Sequence, residues 1–322
     1  MRHTLSIFRH AFGILLALSI FVLVGCSEKK TGLVEIRKDA HVILLGNNLG
    51  SRMMNYGSFE TEMHLRYPDS TLLIRNMCDG GDTPGFRPHS ARNAPWAFEG
   101  AEKFQTELAK DSGSEGVFES PDQWLDRLQA DVIIAFFGYN ESFEGEKGLE
   151  NFKNELSAFI THTRSQKYNG KIAPELILVS PIAYEDLSKS YDLPNGDTQN
   201  QNLALYTAAM AEVSKNNSVD FVDAFHPSQK WYSEEEQLTI DGFQLNKNGY
   251  ERLAVFLSDT IFGETTGFEK EKRTAINAAV KEKNYYWHND YKIPNGVHVY
   301  GRRFAPSGQD TYPFDIKKTR QL

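Results

Sequence analysis

The stretch VIIAFFGYNE, residues 132–141, is an unbroken apolar run that ends on a glycine and a polar turn. A run without alternation between apolar and polar residues is typical of a strand buried on both faces of a parallel sheet. Further runs of this kind, each bounded by polar residues or glycine, lie on either side of it at 41–45, 71–77, 176–180 and 219–225. The sequence therefore predicts a sheet of about five parallel strands.

The segments between these runs are longer and carry apolar residues at helical spacing. Within residues 150–166, for example, Phe152, Leu156 and Phe159 recur every three or four positions, the pattern of a helix with one buried face. Alternation of strands and helices predicts a doubly wound α/β fold with helices on both faces of the sheet. The predicted helices span 51–67, 122–129, 150–166, 199–215 and 248–262.

The character of the sequence changes after Gly263. A charged helix is predicted over 269–283, and the tail behind it is punctuated by proline and glycine. We interpret residues 39–266 as the α/β domain. Residues 267–322 have too little apolar content for a core of their own, so we interpret them as an appendage that wraps the domain.

The N-terminal residues have the features of a targeting segment. Two arginines precede a short apolar stretch over 14–24, which is shorter than the roughly 20 residues of a membrane span. The stretch ends at LVGC, residues 23–26, which resembles the bacterial lipobox and implies acylation of Cys26. We expect a signal peptide over 1–25, a polar tether over 26–38, and an anchor in a lipid bilayer of the bacterial cell envelope, as a periplasmic or outer-membrane lipoprotein. The alternative is a plain signal peptide with a chance cysteine.

Charge and cysteine content restrict the possible partners. The chain has 43 acidic and 35 basic residues, a formal net charge of −8, and no basic run, so nucleic acid is not an expected partner. Its only other cysteine is Cys78. With Cys26 acylated, no disulfide can form within the chain, and a packed core must supply the stability.

The turns that follow the apolar runs are the candidate site, because ligands of open α/β sheets bind at the carboxyl ends of the strands. They read GNNLGS over 46–51, NMCDGGDT over 76–83 and GYNES over 138–142. A later segment, LTIDGFQLN over 238–246, precedes another predicted helix. The first turn is rich in glycine, but its spacing matches no nucleotide-binding motif, which disfavours a phosphate site.

Taken in order, these four segments resemble the conserved blocks of the SGNH (GDSL-type) hydrolase superfamily. The resemblance spans about 42–262 and implies a flavodoxin-like three-layer α/β/α sandwich. It also implies which positions match the functional groups of the family. Asn48 matches the serine nucleophile, and the backbone N–H after Gly46, the N–H of Gly81 and the side chain of Asn140 match the three oxyanion donors. Asp241 matches the orienting carboxylate and Gln244 matches the histidine base.

This chain lacks both proton-transfer groups of the family. The amide of Asn48 is no nucleophile, and the amide of Gln244 cannot accept a proton at physiological pH. The run 136–143 resembles a subgroup of such domains in secreted bacterial proteins. In that subgroup the first block is also altered but the histidine is usually kept, so Gln244 departs even from these nearer relatives. We therefore predict a catalytically degenerate domain that binds a polar ligand, with candidate binding residues Asn47, Asn48, Gly81, Asn140, Glu141, Asp241 and Gln244.

Aromatic residues on the loops suggest a carbohydrate or an acylated glycan as the ligand. They include Phe86, Trp96 and Phe98 in one loop, Tyr184 and Tyr191 in another, and Tyr139 beside Asn140. Such side chains stack on sugar rings, or they simply anchor long loops, and the sequence leaves both interpretations open.

Two other functions stay open from the sequence. An active esterase or deacetylase would need another nucleophile or base, for which Ser51, Ser142 and His226 are candidates, and His89 would belong to a lid. A non-catalytic scaffold would use the aromatic tail. A metal site would need Asp79, Asp82, Glu141 and Asp241 to converge, but we predict none. No Cys-x-x-Cys-His motif occurs, so haem is not implied and no cofactor is expected.

Overall fold

A computed structural model describes residues 32–89, 92, 94–105, 118–265 and 267–292. The predicted signal peptide and Cys26 lie outside the described residues. The described residues from Gly32 onward belong to one compact unit. Among them, no helix is long and apolar enough to cross a membrane.

The sheet has five strands, all parallel, in the order β2-β1-β3-β4-β5. This is the flavodoxin-like strand order, in which the direction of winding reverses between β1 and β3. The predicted α/β fold is confirmed. The strands are β1 (His41–Gly46), β2 (Leu73–Asn76), β3 (Val132–Phe136), β4 (Glu175–Val179) and β5 (Asp220–Val222).

Successive side chains of each strand enter two separate cores, because strand residues alternate between the faces of a sheet. In β1, Ile43 and Leu45 belong to one core, while Val42 and Leu44 belong to the other. The helices that cover the Ile43 face are α3 (Pro121–Arg127), α4 (Leu149–Ser165) and α5 (Asp197–Asn217).

The opposite face is covered mainly by four helices: α1 (Asn48–Tyr56), α2 (Ser58–Arg66), α6 (Phe225–Trp231) and α7 (Lys247–Phe262). The sequence predicts one helix over 51–67, but the structure has two, α1 and α2. They are separated by Gly57, whose φ of +67° is the left-handed conformation that ends helices. The helical periodicity of this segment hides the break, since apolar residues continue on both sides of it.

Two other element bounds differ from the prediction. The run 219–225 is only partly strand, because β5 ends at Val222 and α6 already begins at Phe225. The last helix, α8 (Lys270–Tyr291), continues well beyond the predicted end at residue 283. Its final turns pack Trp287 and Tyr291 into the core on the Ile43 face.

Part of the segment predicted as a tether packs against the domain. Val34 donates a backbone hydrogen bond to the carbonyl of Ile261 at 3.0 Å, and Ile36 is buried in the core on the Val42 face. The ordered domain therefore begins several residues before residue 39.

Candidate functional site

The turn after β1 is built by two asparagines with different roles. Gly46 has a φ of +115°, and a Cβ there would lie 2.0 Å from the carbonyl oxygen of Phe136, so only glycine fits. Asn47 is buried and caps α1, because its side chain accepts a hydrogen bond from Leu49 N–H at 3.1 Å. Asn48, the first residue of α1, lines a pocket. Ser51, a candidate nucleophile from the sequence, lies within α1.

Asp241 and Gln244 form a compact turn, and Gln244 lines the same pocket as Asn48. Asp241 accepts hydrogen bonds from the backbone N–H groups of Phe243 at 3.0 Å and Gln244 at 2.7 Å. Its second oxygen accepts from Nε2 of Gln244 at 2.8 Å. The amide of Gln244 is thus held by the carboxylate in the way that a triad aspartate holds an imidazole.

The pocket lies at the carboxyl ends of β1, β3 and β4, next to the reversal point of the sheet. Its volume is about 30 Å³, enough for two or three water-sized groups at roughly 10–15 Å³ each. It therefore holds a small chemical group rather than a whole sugar. The described residues that line it are Asn48, Leu49, Arg52, Tyr139, Pro181, Ile182, Phe243, Gln244 and Tyr250.

These described lining residues include no serine, threonine, cysteine or histidine. The two phenols are poor nucleophiles at neutral pH. Burial raises the pKa of Tyr139 to about 12, assisted by the charge of Asp241. Burial also raises the pKa of Tyr250 above its usual value, and the charge and hydrogen bond of Arg52 offset only part of that effect. The Tyr250 hydroxyl donates to the carbonyl of Leu49 at 3.0 Å.

Two of the three expected oxyanion donors are already engaged within the protein. Nδ2 of Asn140 donates to the carbonyl oxygens of Gly80 at 3.1 Å and Asp82 at 2.8 Å. The backbone N–H of Asn47 donates to Phe136 O at 3.0 Å. Gly81 is exposed and is not among the described residues that line the pocket. Asn140 therefore fixes the loop after β2 instead of pointing a free amide at a ligand.

Glu141 lies under the turn after β3, where burial favours the protonated form of its carboxyl group. Its Oε2 accepts from Gly138 N–H at 2.9 Å, and its Oε1 is buried without a hydrogen-bond partner. Burial raises the pKa of Glu141 to about 8, and the neighbouring Glu155 adds to the effect. A buried unpartnered oxygen is tolerable only in this protonated form, since an uncompensated buried charge is far more costly.

The acidic residues considered for a metal site have separate surroundings and do not form one cluster. Asp79 pairs with Lys292 at 2.5 Å, and burial raises the pKa of Asp82 to about 8 despite nearby Arg87. Across the described ranges, no three His, Cys, Asp or Glu side chains are arranged to hold a metal ion. Cys78 is buried, and burial raises its thiol pKa well above the usual value.

The alternative catalytic residues have their own contacts elsewhere. Ser142 donates to the carbonyl of Tyr139 at 2.7 Å, and His226 pairs with Asp223 at 2.5 Å at the exposed N-terminal end of α6. His89 stacks on Phe118 with ring centroids 3.7 Å apart, and burial lowers its pKa to about 4. Neither these residues nor Ser51 are among the described residues that line the pocket.

Sequence reasoning missed Arg52, the one cation in the described lining of the pocket. Its Nε is buried without a hydrogen-bond partner, which costs about 1–3 kcal/mol for a neutral donor and more for a charged one. Within the described part of the chain, Arg52 makes no ion pair. The signal was present in the sequence: Arg52 lies four residues after Asn48, and residues at that spacing share a helix face.

Sequence reasoning also missed Phe143 and Phe243. Tyr139 packs edge-on against Phe243, with ring centroids 4.7 Å apart, and against Phe143 at 5.4 Å. Phe143 is 67% exposed. We call these three residues, Tyr139, Phe143 and Phe243, the aromatic rim.

Most of the aromatics singled out from the sequence anchor loops instead. Phe86 packs against Trp96 at 5.5 Å, and the two residues also form an isolated β-bridge. Phe98 is buried and stacks on His162 at 5.2 Å. Of the six, only Tyr139 is among the described residues that line the pocket.

No protein-family model matches the chain, and no curated protein sequence matches it. Solved structures resemble it at low identity. A variant of Axe2, an acetyl-xylooligosaccharide esterase from Geobacillus stearothermophilus, is 12% identical with a TM-score of 0.49, over 74% of this chain and 98% of that chain. A protein described as a GDSL-like lipase from Parabacteroides merdae is 14% identical with a TM-score of 0.48, over 70% and 97%.

The gut microbial diltiazem-metabolizing enzyme BT4096 is 14% identical with a TM-score of 0.48, over 70% of this chain. The match covers 48% of that enzyme, so this chain spans about half of its length. At these identities and scores, the similarities say nothing about activity, which depends on the geometry of the site.

Proposed function

We propose that this chain is a catalytically degenerate SGNH-type domain that binds a polar ligand without hydrolysing it. The ligand class is a carbohydrate or an acylated glycan, of which one small group enters the pocket and the rest lies on the aromatic rim. The single observation that carries the proposal is the hydrogen bond of 2.8 Å from Nε2 of Gln244 to Asp241.

That hydrogen bond matters because it occupies the position where a hydrolase needs a base. An imidazole held by a carboxylate takes the proton of a nucleophile, whereas an amide held the same way has no basic lone pair at neutral pH. In the same pocket, Asn48 offers an amide where a hydroxyl would be needed. The scaffold of a triad is therefore kept with its proton-transfer groups replaced by hydrogen-bonding ones.

The rim supports a ligand that extends beyond the pocket. A volume of about 30 Å³ accepts only a small group, while exposed Phe143 beside Tyr139 offers an apolar surface outside it. Aromatic faces of this kind pack against the C–H faces of sugar rings, since the rings bring large apolar area with a fixed geometry.

The location is proposed from the sequence. Acylation of Cys26 would anchor the domain at the bacterial cell envelope, since each buried methylene of an acyl chain contributes about 0.8 kcal/mol. A domain held there would meet glycans of the envelope at high local concentration.

The test is hydrolysis of an aryl acetate and of an acetylated glycan by the purified full-length chain. We expect the wild type at the background rate. The double variant Asn48→Ser/Gln244→His should gain slow turnover, because it restores a hydroxyl and a base on either side of the same pocket. Slow turnover is expected because Asn140 remains committed to the carbonyls of Gly80 and Asp82.

The matched control is Asn48→Ala/Gln244→Ala, which changes the same positions without restoring a nucleophile. Turnover by the wild type well above background, and lost in this control, would show an active hydrolase and overturn the proposal.

A further inference from the structure

We infer that the group entering the pocket is a carboxylate, so that the ligand is a carboxylate-bearing molecule. The inference rests on the proposed function and specifies the chemistry of the same pocket. It starts from Arg52, which brings a positive charge to the pocket wall and has a buried Nε without a hydrogen-bond partner.

The charge of Arg52 is not neutralised within the described part of the chain. No carboxylate there lies within ion-pair distance of its guanidinium, and none of the described lining residues is acidic. The nearby carboxylate of Asp241 accepts from three N–H groups, two of the backbone and one of Gln244. These three N–H groups compensate the negative charge of Asp241, so the guanidinium of Arg52 remains available to a ligand.

The remaining lining residues suit an anion that has lost its water. Leu49, Pro181, Ile182 and Phe243 are apolar, and electrostatic attraction is stronger when water is excluded. The side-chain amide of Asn48, one helical turn before Arg52, makes no hydrogen bond within the described residues and can donate. Asn48 is also the first residue of the nine-residue helix α1, whose N-terminus favours negative charge.

The small volume of the pocket favours a carboxylate over larger anions. A volume of about 30 Å³ holds two or three water-sized groups, which matches the three heavy atoms of a carboxylate group but not the five of sulfate or phosphate. The planar guanidinium fork also fits a carboxylate through paired N–H···O bonds.

The experiment is a ligand-observed NMR titration of the full-length chain, in detergent, with acetate and acetamide at constant ionic strength. These probes have the same shape and differ in charge. We expect acetate to bind at least tenfold more tightly than acetamide, and sulfate to bind no better than acetamide. Equal binding of acetate and acetamide would overturn the inference.

Variants assign the effect to Arg52. Arg52→Met should weaken acetate binding at least tenfold, and Arg52→Lys, which keeps the charge without the fork, should weaken it less. Lys247→Met is the matched control, because Lys247 is exposed and removing it changes the net charge equally; it should change the affinity less than twofold. Should Arg52→Met not fold, the acetate affinity of Arg52→Lys and the ratio of the acetate and acetamide affinities of the wild type decide whether the inference holds.

The outcomes separate this inference from the proposed function. If acetamide and a neutral acetyl ester bind as well as acetate, and Arg52→Met has no effect, the pocket is a ligand site for a neutral group and only the inference fails. If the wild type hydrolyses the ester, the proposed function fails as well.

Discussion

At the scale of single residues, the amide of Gln244 determines what the pocket can do. It donates to Asp241 with the geometry of a catalytic dyad, yet an amide neither takes up nor releases a proton near neutral pH. The same amide still supplies a polar group to the pocket that Asn48 and Arg52 also line. The proposed loss of base catalysis and the polar character of the pocket wall therefore follow from the same amide.

Glu141 makes stability dependent on pH. Its pKa rises from an ordinary 4.5 to about 8, chiefly by burial, so the folded state holds this proton more tightly than the unfolded state. The resulting stabilisation is complete below the unfolded pKa and is lost as the pH rises through the folded one. We expect Glu141→Gln, which resembles the protonated acid, to reduce the loss of unfolding free energy between about pH 5 and pH 9 by on the order of 4 kcal/mol, because each unit of pKa difference contributes about 1.4 kcal/mol.

Urea unfolding at several pH values measures this effect. Glu251→Gln is the control, because the exposed Glu251 only pairs with Lys247 at 3.6 Å on the surface, and such pairs contribute little. Equal pH dependence in Glu141→Gln and wild type would contradict the raised pKa.

The residues of the candidate site were only partly predictable from sequence. Asn48 and Gln244 were found because their positions in the chain match recognisable blocks, and both line the pocket. The turn sequence alone could not separate Asn47, which caps α1, from Asn48. Arg52 was missed because a basic residue on a helix is ordinarily read as part of a solvated face.

At the scale of elements, contacts with the edge strand of the sheet hold α8 in place. Trp287 donates its Nε1–H to the carbonyl of Asn76 in β2 at 2.6 Å and stacks on Tyr291 with ring centroids 5.2 Å apart. Asn284 donates to the carbonyl of Met54 at 3.3 Å. The helix thus covers the edge strand β2, which would otherwise offer free backbone groups.

Trp287 should therefore be important for stability. We expect Trp287→Ala to lower the free energy of unfolding by about 3–5 kcal/mol, as for other buried large side chains. Trp287→Phe, which keeps most of the apolar area and loses the hydrogen bond, should lower it by about 1–2 kcal/mol. Denaturant titration measures both.

Tyr285→Ala is the control in the same helix, because Tyr285 is 66% exposed and exposed substitutions stay within about 0.5 kcal/mol. A loss for Trp287→Ala no larger than that of Tyr285→Ala would contradict the packing of α8.

Sequence periodicity predicted each strand but not the full length of α8. Apolar runs locate buried strands because both faces of a parallel sheet are covered. The last turns of α8 follow no such pattern, since Trp287 and Tyr291 reach the core from a helix that is otherwise largely polar. The low apolar content of residues 267–322, on which the appendage was predicted, did not reveal the contact of α8 with β2.

The aromatic rim gives a second prediction at this scale. Phe143→Ala should weaken the binding of glucuronate, which has a sugar ring beside its carboxylate, by about 0.5–1.5 kcal/mol. It should leave the binding of acetate unchanged, because the whole acetate ion fits inside the pocket and does not reach the aromatic rim. The same NMR titration measures both ligands.

Tyr285→Ala serves again as the control, since it removes an equally exposed ring far along the chain. Equal glucuronate affinity in Phe143→Ala and wild type would mean that the rim does not contact the ligand.

At the scale of the whole molecule, the strand order places the site. Reversal of the winding between β1 and β3 leaves a crevice at their carboxyl ends. Asn48 follows β1 and Tyr139 follows β3, and both line the pocket in that crevice. Residues that are about ninety positions apart in sequence thus share one pocket because of topology, which no local pattern can specify.

The same topology predicts that α8 unfolds together with the sheet. Trp287 and Tyr291 belong to the core that contains Ile43 and Leu45 of β1, so opening α8 would expose one side of that core. We expect Trp287→Ala to lower hydrogen-exchange protection of the peptide 41–46 by the same free energy that it removes from global unfolding. Exchange followed by mass spectrometry measures this, with Tyr285→Ala as the variant that should leave protection unchanged. If the 41–46 peptide keeps its protection while peptides of α8 lose theirs, α8 opens independently and residues 267–292 are a peripheral addition to the domain.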